Sequence, residues 1–329
     1  MLKIVVLWLF PLMIWANNAP LGVIKLPPSK VFVGAYINQI SNINLKTNNF
    51  DVDMYLWFRW DDPKLTPDKT FWIVGGNITS NRVSTVKLLP NGVHYVCLHV
   101  VATIKHSWNV THFPLNDNTL KISIEDEFST AKELEYVPDV ESSGFSELRD
   151  AEGFNLQKFF IQRYDYTYGT NYGDPSPFME PKSDFSRVSF NVFIPGGGLN
   201  DFFKTYWNLF LSFLVGFMAV LTKPEQLDQR FALAIGAIFA TSASAIVISG
   251  SLPPSSHFVL ADKLNFLTIL SILFIAFSSA IIVNLEEKQH LFIARWMNRW
   301  SFPFIFMFYF GTVIYLSFMD EIDWAELFF

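Results

Sequence analysis

The chain has 329 residues, of which 51% are hydrophobic and only 16% charged, against about 25% charged in ordinary soluble domains. That balance, with 35 Phe, excludes a disordered chain and points to contact with lipid. A net charge of -6 gives no reason to expect a nucleic-acid partner, and a single cysteine, Cys97, excludes an intrachain disulfide framework or a multi-cysteine metal site.

The chain opens with Met1-Leu2-Lys3, an apolar run from Ile4 to Trp15, and small or polar residues from Ala16 to Ala19. This order predicts a secretory signal peptide over residues 1–16, with an uncleaved anchor helix as the alternative. Either reading predicts export of the residues beyond it. Residues 17–200 read as short strands: Phe50–Trp60, His94–Ile104, Leu120–Ile124, Phe154–Tyr168 and Val188–Ile194 are rich in β-branched and aromatic residues. Asp61-Asp62-Pro63, Pro90-Asn91-Gly92 and Phe113-Pro114 separate them as turn signals. The spacing predicts an antiparallel, immunoglobulin-like β-sandwich.

After Pro195-Gly196-Gly197-Gly198 the composition changes. Residues 201–329 contain four apolar runs, placing spans at about 202–222, 228–252, 262–284 and 301–319; roughly 20 helical residues cross the hydrocarbon core. Lys223 and Arg230 lie between or beside the first two, and Lys288, Arg295 and Arg299 between the last two. Basic residues in short loops stay on the cytoplasmic side, which agrees with an exported β domain. The expected location is the inner cell membrane, multi-pass, with the N-terminal domain periplasmic or extracellular.

The second span differs from the others in its small and hydroxylated residues: Gly236, Thr241, Ser242, Ser244, Ser249, Gly250 and Ser251. Either the helix packs closely against its neighbours, or one of its faces meets water.

In its order of parts the chain resembles the pentameric ligand-gated ion channels, particularly their prokaryotic members. Trp60-Asp61-Asp62-Pro63-Lys64-Leu65 resembles the family's second-strand motif, and the segment His112 to Ile122, with Phe113-Pro114-Leu115, resembles its signature loop. Leu252-Pro253 closes the second span as in the family, and Arg230 stands at the inner end. There are departures. Lys105 and Thr119 stand where a disulfide would close the signature loop, Asn116 replaces its Asp with Asp117 following, and the first span lacks the family's Pro. The lost bridge and the short connection between spans three and four match prokaryotic members.

The resemblance implies a homopentamer in a lipid bilayer, with five second spans lining a pore. Register from Pro253 gives a pore face of Asp228, Ala232, Gly236, Phe239, Ala243, Ile246 and Gly250. Phe239 takes the central hydrophobic-gate position, and an Asp228 ring would favour monovalent cations; the alternative is that Arg230 faces the path and favours anions. A small-molecule agonist would bind between β domains, among Tyr55, Phe128, Tyr166, Tyr168 and Tyr172, with protons as another candidate agonist. Phe113, Pro114, Pro253 and Pro254 would couple the two domains.

The residues offer bland readings beside these. Glu125-Asp126-Glu127 reads as a solvated acidic turn, with a divalent-cation site as the alternative, Cys97 as a buried apolar residue, and His94, His99, His106 and His112 as structural. No nucleophile elbow, phosphate loop or metalloprotease motif is present, so no enzyme and no cofactor is expected. The alternatives to a conducting channel are a poorly conducting ligand-sensing receptor of the same architecture and a membrane-anchored binding protein without a pore.

Overall fold

The computed structural model describes residues 27–146, 150–151, 154–173, 182–223, 226–255 and 257–318. The expected signal peptide, Pro224, Glu225 and the acidic tail lie outside the described residues.

The β domain begins with β1 (Ser29–Asn44) and β2 (Asn49–Trp60), then a one-turn helix α1 (Pro67–Thr70), β3 (Phe71–Ile73), β4 (Gly76–Leu88) and β5 (His94–Lys105). After these come β6 (Asn118–Asp126), β7 (Leu134–Pro138), β8 (Gly144–Phe145), β9 (Asp150–Ala151), β10 (Phe154–Asn155), β11 (Lys158–Tyr168) and β12 (Ser183–Ile194). One sheet runs β4-β5-β2-β1-β7, with β8 also on β1; a second runs β11-β12-β6-β3. The strand expected over Phe154–Tyr168 is divided, because β10 turns aside to pair with β9. The sandwich is not purely antiparallel, since β1 pairs parallel with β7 and β8.

Strand β2 shows why the sheets stack. Phe50, Val52, Met54, Leu56, Phe58 and Trp60 are buried, while Asp51, Asp53, Tyr55, Trp57 and Arg59 point away. Period-2 alternation puts one face in the core, and each fully buried large apolar side chain contributes roughly 1.5–3 kcal/mol. Leu120, Ile122 and Ile124 of β6 and Val188, Phe190 and Val192 of β12 complete the same core. Cys97 is half-buried rather than buried, because it sits on the outward face opposite Trp57.

Four helices follow: α2 (Leu199–Leu221), α3 (Leu227–Ser251), α4 (Leu260–Glu287) and α5 (Leu291–Phe318). Each is long and apolar enough to cross a membrane, so the chain is a multi-pass membrane protein. The fourth helix starts well before the expected residue 301, since Arg295 and Arg299 interrupt the apolar run but not the helix. Helix α3 packs between α2 and α4, and α5 packs on α4. At Gly216 of α2 an added Cβ would lie 3.0 Å from Ile272 and 3.1 Å from Ala237, so the small residue lets three helices approach. Phe213 stacks on Tyr309 of α5 with ring centroids 3.6 Å apart, and the Tyr309 hydroxyl lies 2.9 Å from Thr268 Oγ1 on α4.

Candidate functional site

Helix α3 has two unlike faces. Arg230, Ala234, Ala237, Thr241, Ser244 and Ile248 are buried against the bundle. Their spacing of three and four makes one stripe. Asp228, Ala232, Gly236, Phe239, Ala243, Ile246 and Gly250 are all exposed. At 3.6 residues per turn they lie on the opposite side of the helix. Phe239 is 72% and Ile246 74% exposed. The outward faces of α4 and α5 carry Phe266, Phe274, Phe277, Phe304, Met307 and Phe308, as lipid contact requires. The exposed side of α3 mixes Asp228, Ala232, Gly236, Ala243 and Gly250 with the apolar Ile235, Phe239, Ile246 and Val247, and is flanked by Ser242 and Ser249. Of its small residues, Thr241 and Ser244 pack inward, as close helix packing requires, and Gly236, Ser242, Ser249, Gly250 and Ser251 are exposed.

Arg230 is 1% exposed and turns into the bundle, so the alternative in which it faces a permeation path is corrected. Its guanidinium donates to the Thr222 carbonyl at the end of α2, to Asn298 Oδ1 of α5 at 3.1 Å and to Ser279 Oγ of α4 at 3.4 Å. Such a cation is tolerated among apolar helices because the bundle supplies its hydrogen bonds. It pins the end of α3 that lies far from the β domain.

The two domains are joined by hydrogen bonds through the segment expected to couple them. The Phe113 carbonyl accepts from the Tyr206 hydroxyl of α2 at 2.7 Å, and the Pro114 carbonyl from Gly197 N at 2.7 Å. Thr111 O accepts from Leu260 N at the start of α4, and Asp117 Oδ1 from Gly196 N at 2.8 Å. Asn116, in place of the expected Asp, accepts from His112 N and so closes the loop on itself. Pro253 and Pro254 share a cavity of about 360 Å³ with Lys46 of the β1–β2 turn and Asp262 of α4. Sequence reasoning missed Lys46 and Tyr206, because nothing local to either marks a partner so distant along the chain.

Two predictions arise at this boundary. A Cβ on Gly196 would stand 1.9 Å from the Leu115 carbonyl oxygen, whereas one on Gly198 would meet nothing within 4 Å. Gly196→Ala is expected to destabilise the protein by about 1–3 kcal/mol, and Gly198→Ala to leave thermal unfolding nearly unchanged; a melt of both variants checks this.

The second prediction concerns His106, which packs edge-on against Trp108, its centroid 4.5 Å away, and against Phe50. Burial, then the Lys121 charge, lowers its pKa from 6.5 to about 4. The unfolded chain therefore binds the extra proton over that interval. The stability contributed is full above pH 6.5 and is lost as pH falls towards 4. The loss between pH 7 and 5 is on the order of 1 kcal/mol, since the ring keeps some solvent contact. His106→Phe should remove that part of the slope in urea titrations at the two pH values.

The aromatic residues expected to bind a ligand divide into separate places. A cavity of about 320 Å³ is lined by Trp72, Glu125, Asp126, Glu127, Tyr168, Tyr172 and Phe185. Tyr168 and Tyr172 come together there, with centroids 5.7 Å apart. Phe128 is 71% exposed and does not line it. Tyr55 lies on the other sheet against His99, whose Nε2 is 2.9 Å from Asp53. Within one protomer Tyr55 and Phe128 are thus not part of one aromatic box with Tyr168.

The acidic segment is not a solvated turn. Glu125 and Asp126 are each only 2% exposed. Asp126 accepts from Thr70 Oγ1 and from the backbone N–H groups of Phe128 and Ser129. Glu125 pairs with Arg187 of β12, Nη2 to Oε2 at 2.6 Å and Nε to Oε2 at 2.7 Å. Register explains the meeting, because Tyr164, Arg187, Glu125 and Trp72 stand opposite one another across four strands. Tyr168 donates to Glu125 Oε1 at 3.0 Å and accepts from Arg187 Nη2 at 2.9 Å. Burial, with the Glu125 hydrogen bond, pushes its hydroxyl up to about 12. The Arg187 guanidinium carbon sits 3.9 Å from the Tyr166 ring centroid and occupies one face of that ring; Tyr166 itself does not line the cavity.

Among the described residues no cluster of His, Cys, Asp and Glu has the form of a metal site. No protein-family model matches the chain, and no curated protein matches it.

Proposed function

We propose that the protein is a pentameric ligand-gated ion channel of the prokaryotic type, conducting monovalent cations through a pore lined by five copies of α3. The carrying observation is the face of α3 that its own bundle leaves uncovered: four small residues, Ala232, Gly236, Ala243 and Gly250, one Asp at the end far from the β domain, and Phe239 and Ile246 between them. Its Ala, Gly and Asp positions set it apart from the Phe-rich outward faces of α4 and α5. Closing five such faces on an axis buries them against one another and water, with the Phe239 ring as a dewetting constriction.

In this reading the β domains lie on the exported side, and a small-molecule agonist or protons act on them. The cavity at Tyr168 and Tyr172 is one half of the agonist site, with Tyr55 of a neighbouring copy as part of the other. Binding favours the pore state that fits the ligand better, and the bonds from Phe113, Pro114 and Thr111 to α2 and α4 carry the movement.

The test is current across bilayers holding the purified protein under a salt gradient. Currents reversing towards the cation equilibrium potential are expected. Silence, in membranes where pentamers have been counted, would move the assignment to the poorly conducting receptor.

A further inference from the structure

The first turns of α5, which precede the expected fourth span, carry a concavity of their own. Leu291, Phe292, Arg295, Trp296, Arg299 and Trp300 line an open space of about 740 Å³. Both arginines are exposed, and neither forms an ion pair among the described residues. Their place along the bundle is fixed at both ends of the helix. Asn298, between them, accepts from Arg230 at the end of α3 far from the β domain, whereas Phe318 meets Phe202 at the start of α2. Arg295 and Arg299 therefore stand at the membrane boundary away from the β domain. From there Phe292, Trp296, Trp300, Phe304 and Phe308 recur every fourth residue, all exposed, so an aromatic stripe runs from the arginines into the span. One turn beyond Trp300, Phe304 and Phe308 join Phe274 and Phe277 of α4 around an apolar groove of about 550 Å³. From Arg299 to Phe308 the helix rises about 14 Å, close to half of a hydrocarbon core about 30 Å thick.

We infer that this end of α5 binds one anionic phospholipid of the leaflet away from the β domain: Arg295 and Arg299 hold the phosphate, Trp296 and Trp300 lie at the level of the glycerol, and an acyl chain fills the groove between α4 and α5. The inference rests on α5 crossing the membrane and not on conduction. A guanidinium keeps its charge at all working pH values and meets phosphate oxygens with paired donors, and Trp settles where apolar and polar layers meet. A zwitterionic headgroup would bring its own cation against two unpaired guanidinium groups, so a net anionic one is preferred. Free phosphate would engage the arginines and leave the groove unfilled. A water-soluble protein would not reach Phe304 and Phe308, which lie within the spanning part of the helix.

The test is native mass spectrometry of the full-length protein released from detergent, titrated with phosphatidylglycerol or with phosphatidylcholine of the same chains. Wild type should retain phosphatidylglycerol in preference to phosphatidylcholine. Arg295→Gln with Arg299→Gln should weaken phosphatidylglycerol binding on the order of thirtyfold, and each single change on the order of fivefold. Both side chains are exposed, so circular dichroism and the size-exclusion profile should stay as in wild type, and the single changes decide the matter if the double variant misfolds. Lys204→Gln, which removes an exposed basic residue near the β domain, should leave retention unchanged. Phe304→Ser with Phe308→Ser should weaken both lipids. Equal retention of the two lipids by wild type, or unchanged phosphatidylglycerol binding in folded arginine variants, overturns the inference. Displacement of phosphatidylglycerol by chain-free glycerol phosphate would also overturn it, by making the arginines a site for soluble phosphate.

Discussion

Phe239→Ser is expected to raise the resting current of the protein in bilayers by tenfold or more. The ring is 72% exposed on the uncovered face of α3, so the change removes no packing within the protomer. In the proposed channel it would remove the apolar constriction that five copies form. An apolar side chain of this size favours a dry surrounding by roughly 1.5–3 kcal/mol, and about 1.4 kcal/mol is a factor of ten in an equilibrium. Even one ring's share would shift the closed state by that factor. Phe277→Ser, 66% exposed on α4 beside an apolar groove, serves as the control and should leave the current as it was. Equal effects from the two changes would detach the constriction from α3.

Glu125→Ala should destabilise the β domain by about 3–5 kcal/mol, the cost of stranding a buried charge. Glu125 is 2% and Arg187 7% exposed, and removing the carboxylate leaves the guanidinium with the tyrosines alone. The pair is not thereby a large net source of stability, because desolvating two ions consumes most of what their attraction returns. Replacing both, as Glu125→Leu with Arg187→Met, should recover most of the single variant's loss. Denaturant midpoints of the two variants decide this. A single variant as stable as wild type would show that the pair is solvated in the assembled protein.

Helix α3 was legible in the sequence because a transmembrane helix with small residues on one side leaves a strong periodic trace. The register set by Leu252-Pro253 then picked out the face that the bundle leaves open. Strand β2 was legible for a similar reason, its buried set falling at every second residue from Phe50 to Trp60. The Glu125–Arg187 pair was not legible. Sixty-two residues separate its members, and only the register of β12 on β6 brings them opposite. A run of Glu125, Asp126 and Glu127 reads as solvated unless the covering strands are known. Nor could composition show that α5 continues through Arg295 and Arg299, since charge marks the edge of the hydrocarbon core and not the end of a helix. The parallel pairing of β1 with β7 left no local mark either.

The central claim is that the exposed face of α3 meets water in the assembled protein, not lipid. Single cysteines at Ile246 and at Phe277, in a Cys97→Ser background, can be treated in sealed vesicles with a charged, membrane-impermeant thiol reagent on the β-domain side. The channel account predicts that the Ile246→Cys thiol reacts, since it lies between Phe239 and the mouth at Pro253, while Phe277→Cys stays protected in the bilayer. Equal protection at both positions would place α3 against lipid and contradict the pore.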